Sequence, residues 1–408
     1  MRWANLLVLC PVASYQLAAL PFAALFHHLS ASRRLSPSAR YVSLLAGGCL
    51  LATTGAGGYA ALLFVPAAAS VLVLLLVSPA RVHSWAFSLQ MSWQTLCHLG
   101  LRSQGPDPQD TRSALVLSAV MLLTQKVTSL SLDVHEGTVT LQPGQGVLQR
   151  ALPLCSYLLF FPALLGGPLC SFRRFRARIE CPLASYRPLG AAARRCLCAL
   201  ALQALRAGLQ GHLATAQGVR SVWAQALLFK LAYYSQWMLD EALLEAAGLG
   251  PEEGQGDLSG SDLWALETSN RVSVFARTWN KSTSRWLRRL VFERCRAQPL
   301  LATFAFSAWW HGLQPGQLFG FLCWAVMVEA DYRIHPFLRA RAASRGAKLL
   351  YYGATWLCTQ LIISYILVAV ETESFSELRR LWTSCSSILP LSYSLALLLL
   401  PTRKGKQN

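Results

Sequence analysis

The amino-acid sequence predicts an all-α, polytopic membrane protein of about eleven transmembrane or re-entrant helices. Two observations lead there. Hydrophobic residues make up 54% of the 408 and charged residues only 14%, against roughly 25% charged in a soluble domain. The apolar residues are also gathered into long runs, and a bilayer core needs about 20 of them per crossing. The formal charge of +18 resides in loops between those runs, not on one face suited to a duplex. Basic loops beside a membrane follow the positive-inside rule and meet anionic headgroups. Membrane lipids are therefore expected contacts and nucleic acid is not.

The first run, about residues 4–29, sits where a signal peptide would. Its basic region is the single Arg2, it carries Pro11 and Pro21, and no small-residue cleavage site follows. It reads as a retained first span. The basic loop Arg33, Arg34, Arg40 comes next. Runs at 41–54 and 59–77 flank a Gly-rich joint at 55–58, and runs at 85–101 and 114–132 flank a loop with Pro106 and Pro108. Residues 134–149, with Gly137, Gly144 and Gly146, suggest a hairpin or loop. Residues 151–170 are apolar but interrupted by Pro153, Pro162 and Gly166-Gly167-Pro168. That is the pattern of a re-entrant segment, whose freed backbone groups need protein or water partners. A basic stretch at 173–178 follows it.

Further spans are expected at 191–209 and 222–243, then a Gly-rich loop at 248–261. Residues 263–296 are too charged to span. Trp279, Trp286, Leu287 and Leu290 against Lys281, Arg285, Arg288 and Arg289 suggest one amphipathic helix at the interface. Runs at 299–313, 318–328, 349–370 and 388–400 complete the chain. No internal repeat is visible, which weakens an inverted-repeat transporter.

The loop charges predict a lumenal N-terminus, and the basic tail 401–408 a cytosolic C-terminus. Lys404 and Lys406 match a dilysine retrieval signal of endoplasmic reticulum membrane proteins, and equally an ordinary basic stop after the last span. The organisation expected is one membrane-embedded domain over 1–408. Within it, a cytosolic-side interfacial segment at 263–298 carries Asn280, and helices at 299–333 carry His311. Of the 12 cysteines, Cys10, Cys49, Cys97, Cys155, Cys196, Cys198, Cys323 and Cys358 fall in apolar runs and read as buried free thiols. Cys196-x-Cys198 has no matching His or Cys cluster, so no metal is expected.

Two patches carry chemistry. In the run 304–312, helical spacing puts Phe304, Ser307, Ala308 and His311 on one face. Ionisable groups at membrane depth are costly and therefore usually functional or paired. Apolar surroundings favour the neutral imidazole, the form a general base requires. A core histidine bonded to a neighbouring helix fits this segment equally well. The second patch, 277–289, offers an amide at Asn280 and the cations Arg277, Lys281, Arg285, Arg288 and Arg289. They suit the phosphates of a soluble cofactor, or simply a helix with Trp anchors and snorkelling arginines.

Trp279-Asn280, then Trp286-Leu287, then Trp309-Trp310-His311-Gly312 with His311 31 positions after Asn280, resembles the membrane-bound O-acyltransferase family. So do Gln125-Lys126-Val127-Thr128-Ser129-Leu130-Ser131 and the stretch from Tyr157 through Phe161-Pro162 to Gly167-Pro168. Runs at 90–101, 279–291, 303–313 and 326–332 are most similar to a peptide-acylating member. The resemblance implies transfer of a medium-chain acyl group, chiefly octanoyl, from acyl-CoA to a serine of a lumenal precursor peptide. It implies acyl-CoA as co-substrate, with no prosthetic group, and helices surrounding an internal acyl-donor channel. His311 is then the base and Asn280 the orienting donor. Arg277, Trp279, Lys281, Arg285 and Arg288 become candidates to hold CoA. Phe304, Ser307, Trp309 and Trp324 become candidates to line the acyl channel, though plain packing explains each as well. A lysophospholipid O-acyltransferase would keep the same Asn and His. A transporter or channel, with His311 lining a permeation path, is the alternative from another class.

Overall fold

The structure, a computed structural model, describes residues 9–103, 111–141, 146–181, 188–213, 216–250 and 262–400. The tail with Lys404 and Lys406, the loop with Pro106 and Pro108, Gly144 and residues 251–261 lie outside the described residues. Among those described, the regular structure is helical and no strand occurs. The chain packs as two compact units.

One unit comprises Arg2–Gln203 and Ala232–Gly260. It holds α1 (Leu9–Ala31), α2 (Pro37–Ala56), α3 (Ala61–Leu76), α4 (Pro79–Ser103), α5 (Thr111–His135), α6 (Val147–Leu159) and α7 (Phe172–Glu180), with parts of α8 (Pro188–Leu213) and α9 (Val219–Ala246). Local sequence starts these helices where it should. Ser36 caps α2 by accepting the Ala39 N–H at 3.2 Å, with Pro37 next in line. The stretch Pro37–Leu76 is apolar over 40 residues, twice what one crossing needs, and the 3₁₀ turn Gly57–Ala60 divides it. With Arg112–His135 and Arg345–Val370 it is long and apolar enough to cross a membrane. The pair Phe375–Trp382 and Cys385–Leu399, bent by 68°, passes that test only as one broken span.

The interrupted run at 151–170 breaks as expected. Helix α6 stops at Leu159 and a 3₁₀ turn covers Phe161–Ala163. The buried Lys126 on α5 donates to Leu158 O at 3.3 Å and Ala163 O at 2.7 Å, and its ammonium lies 4.3 Å from the Phe160 ring centroid. A protein cation thus satisfies carbonyls that the break sets free. Of the stretch before it, residues 136–141 and Gly146 are turn and loop.

The other unit comprises Ala204–Leu231 and Ser261–Asn408. It holds α10 (Leu263–Glu267), α11 (Val272–Thr278), α12 (Lys281–Leu287), a π-helical turn Arg288–Phe292, α13 (Pro299–His311), α14 (Pro315–Arg341), α15 (Arg345–Val370), α16 (Phe375–Trp382) and α17 (Ile388–Leu399). Helix α14 packs against α13, α15 and α17. The amphipathic helix expected from Trp279 to Leu290 is present as α12 and the π turn that continues it, while residues before Asn280 form two further short helices, α10 and α11. The cause is local: Asp262 and Asn280 cap their own helices, and Ser269 bonds the backbone of Arg271. Such side chains compete with helical bonding.

Asp240, Glu241, Glu329 and Asp331 lie near the ends of apolar runs, where pairing with basic neighbours is the sequence expectation. Asp240 departs from it: it is buried against Gly166 and accepts from the amides of Gln16 and Gln236, the latter at 3.3 Å. Asp331, Glu329 and Glu241 do pair with Arg271, Arg333 and Arg195. Cys198 was expected to be buried, yet it lies on the outer face of α8 with exposed Leu197 and Leu200.

Gly316 sets how closely α14 approaches α15. A Cβ there would fall 2.0 Å from Thr372 O and 2.2 Å from Ala369 O. Gly316→Ala is therefore expected to force the helix ends apart and to cost about 1–3 kcal/mol, read as a lowered thermal midpoint of the purified protein. An unchanged midpoint would show that this contact relaxes without cost.

Candidate active site

Asn280 begins α12 in an extended conformation, φ −147° and ψ 88°, and caps it. Its Oδ1 accepts the Thr283 N–H at 3.1 Å and the Ser282 hydroxyl at 3.0 Å. A backbone N–H can only donate, so the atom facing it is the amide oxygen. The NH₂ group therefore faces away from the cap, and among the described residues it makes no hydrogen bond. Asn280 uses its acceptor for structure and presents two donors outward.

The fold fixes this segment from both ends. Asp331, fully buried on α14, accepts from Arg271 at 3.1 and 3.3 Å and from the Val272 N–H at 3.1 Å, which pins the start of α11. His335 Nε2 lies 3.0 Å from the same carboxylate, and its Nδ1 lies 2.6 Å from the Tyr351 hydroxyl. The four-residue spacing of Asp331 and His335 on one helix is the signal in the sequence for this pair. At the other end, the Trp286 ring sits 5.8 Å from Phe306 and 5.2 Å from Trp310. These rings lock α12 onto α13.

His311 is the last residue of α13, half-buried. Gly312 at φ 115° and Leu313 at φ 59° turn the chain at once into α14, with N–H bonds back to Trp309 O at 3.1 Å and Ala308 O at 3.0 Å. A non-glycine residue in the left-handed region costs about 1–2 kcal/mol, so the sharpness of this turn is maintained by packing around it. Trp310 meets the imidazole edge-on at 4.7 Å, and Phe321 of α14 stacks on it at 4.8 Å and 27°.

From there a row of rings continues. Phe321 stacks with Trp324 at 6.3 Å and 12°, and Trp324 with Phe304 at 5.9 Å and 29°. The indole N–H of Trp324 is buried without a partner among the described residues. The structure thus brings together His311, Phe304 and Trp324, and adds Phe321, which sequence reasoning missed. Its signal was an aromatic one helical turn before Trp324. Ser307 is buried with its hydroxyl committed to Thr303 O at 3.1 Å. Trp309 is exposed and edge-on to Phe306 at 6.0 Å, apart from the row.

The cations differ among themselves. Arg277 donates to the Tyr332 hydroxyl at 2.8 Å, which holds its fork in one place. Arg285 donates to Lys281 O at 3.2 Å, on its own helix. Arg288 pairs with Glu293 at 3.0 Å, both largely exposed, an arrangement worth little in water. Trp279 stacks on Phe275 at 5.5 Å. The arrangement offers an open amide donor pair, an imidazole at a helix end, and an aromatic wall running away from it. These are parts for activating a hydroxyl and orienting a carbonyl beside an apolar chain.

Residues 82–370 match the membrane-bound O-acyltransferase family. The chain belongs to that family. It is therefore a multi-pass membrane acyltransferase, and the transporter reading falls. It is 48% identical over 439 residues to membrane-bound ghrelin O-acyltransferase of Mus musculus, covering 100% of both chains. The same enzyme of Rattus norvegicus is also 48% identical over 436 residues, again with 100% coverage of both. Membrane-bound glycerophospholipid O-acyltransferase 2 of Gallus gallus is 29% identical over 449 residues, covering 96% of this chain and 86% of that one. Family membership and full-length likeness to named acyltransferases make acyl transfer the chemistry.

Proposed function

We propose that this chain transfers an octanoyl group from octanoyl-CoA to a serine hydroxyl of the ghrelin precursor in the endoplasmic reticulum lumen. The observation that carries the reading is 48% identity over the whole length to two enzymes named for ghrelin acylation, against 29% for a glycerophospholipid enzyme. The N-terminus is lumenal and the C-terminus cytosolic in this reading. CoA enters from the cytosol and the peptide from the lumen, since a charged nucleotide crosses hydrocarbon only at great cost.

His311 removes the serine proton as the oxygen attacks the thioester carbonyl. The carbonyl π electrons move to oxygen, and the Asn280 amide donates to that developing anion. Collapse of the intermediate expels the CoA thiolate, which takes the proton back from the imidazolium. The position of His311 at the C-terminal end of α13 places the negative end of the helix dipole beside that transient positive charge. Arg277, with Trp279, Lys281, Arg285 and Arg288 near it in sequence, faces the CoA moiety. The row Phe321, Trp324, Phe304 receives the acyl chain.

The test is acyl transfer by purified protein from octanoyl-CoA to a ghrelin-type peptide, with a lysophospholipid as competing acceptor, read by mass spectrometry. Octanoylated peptide serine is the expected product. Acylated lysophospholipid with untouched peptide would sink the assignment in favour of the lipid branch. Chain length gives a further outcome. Trp324→Ala or Phe304→Ala is expected to raise the ratio of kcat/KM for longer over octanoyl donors by about tenfold, within the 1–3 kcal/mol that pocket depth supplies. A ratio unchanged in both variants would make these rings packing only.

A further inference from the structure

We propose that α7 and the α1–α2 turn together form a binding site for anionic phospholipid headgroups, separate from the acyl-transfer machinery. Helix α7 is strongly two-faced. Phe172, Phe175 and Ile179 are buried on one side. Phe175 lies 5.0 Å from Phe160 and 5.4 Å from Tyr157, and Phe172 lies 5.3 Å from Tyr157. The remaining positions carry Ala177 and four arginines, of which Arg173 is exposed and Arg176 half-buried, while a terminal nitrogen of each of Arg174 and Arg178 is buried. The acidic residue on this helix is Glu180, which Arg176 engages at 2.8 Å.

A second basic segment is fastened to this helix. Arg40, itself buried, donates to Ser30 O at 3.1 Å at the end of α1, and to Ile179 O at 3.0 Å and Cys181 O at 3.3 Å at the end of α7. One guanidinium thus stitches the α1–α2 turn to α7. That turn bears Arg33 and Arg34, both exposed. Arg33, Arg34 and the exposed Arg173 have no carboxylate partner among the described residues. Arginines that sequence separates by about 140 positions are therefore gathered at one end of this unit.

The chemistry favours lipid over other anions. The cluster sits on a short helix with an aromatic buried face, directly after an apolar broken segment and directly before another helix. That is the place of an interfacial helix, whose cations stand at headgroup level. Guanidinium forks match phosphate oxygens, and basic clusters beside membrane helices select anionic lipids.

The test uses the full chain in nanodiscs of phosphatidylcholine, alone or with phosphatidylserine or phosphatidylinositol 4-phosphate. Retained lipid is measured by native mass spectrometry, for wild type and for Arg33→Gln/Arg34→Gln/Arg173→Gln. Wild type is expected to retain anionic lipid over phosphatidylcholine, and the variant at least about tenfold less, with octanoyl transfer in pure phosphatidylcholine unchanged. Equal retention by both proteins, or no preference by wild type, overturns the proposal. A photo-crosslinking anionic lipid on wild type makes the test independent of variant folding. Labels at residues 30–40 and 171–181 support the site; labels only elsewhere, or labels displaced by acyl-CoA, reject it.

Discussion

His311→Ala lowers the acyl-transfer rate by about 10²–10⁴-fold, the range that a positioned general base supplies. The loss falls on kcat, because the imidazole acts on the serine proton in the transition state and contributes nothing to holding the donor. KM for acyl-CoA stays close to its starting value. The environment of the ring argues for this split. It lies at the last position of α13, turned by Gly312 and Leu313 against Phe321, with Trp310 at its edge. Those contacts hold the ring in place and leave it half-exposed. Removing it also removes two ring contacts, so the measurement needs a stability control. His311→Gln keeps a polar side chain of similar reach without a titratable nitrogen. Single-turnover kinetics with a saturating donor, alongside a thermal midpoint for each variant, separates the cases. If Gln restored the rate, or if the rate loss simply followed the fall in midpoint, His311 would be a packing residue and the base would have to be sought elsewhere.

The sequence made the membrane class legible because that class depends on composition and run length, which a chain carries locally. The apolar run at 349–370 emerged as Arg345–Val370, and the run at 388–400 as Ile388–Leu399. The glycine- and proline-broken run at 151–170 emerged as a broken helix. What failed depended on partners distant in sequence. A 3.6-residue period grouped Phe304, Ser307 and His311 on one face, but could not say that Phe321 and Trp324 of the next helix would complete a stacked row with two of them. Nor could it say that Ser307 would spend its hydroxyl on Thr303. Asp240 was matched to cations on charge alone, whereas Gln16, more than 200 positions away, reaches it first. The alternation from Trp279 to Leu290 predicted an amphipathic helix, which the structure has, but not that Asn280 would cap its start. That detail concerns the residue that matters most in the segment, because the same side chain that caps the helix is the one proposed to meet the substrate.

This double duty gives the second large effect. Asn280→Asp keeps the oxygen that accepts from Thr283 and Ser282, and aspartate caps a helix as well as asparagine does. It removes both outward N–H donors. The variant is therefore expected to keep its thermal midpoint while transfer falls by about 10²–10³-fold, the usual consequence of losing one oxyanion donor. The added negative charge opposes the anion developing on the thioester carbonyl and pushes in the same direction. Asn280→Ala removes cap and donors together. It adds about 1 kcal/mol of destabilisation to a comparable loss of rate. The pair thus separates the two functions of one residue, since only the alanine variant lowers the midpoint and both lower kcat. If Asn280→Asp transferred octanoyl at the wild-type rate, the donor role would be excluded and Asn280 would be a helix cap alone. In that case the carbonyl would need another donor, and the buried, unpartnered indole N–H of Trp324 is the group in the same unit to examine next.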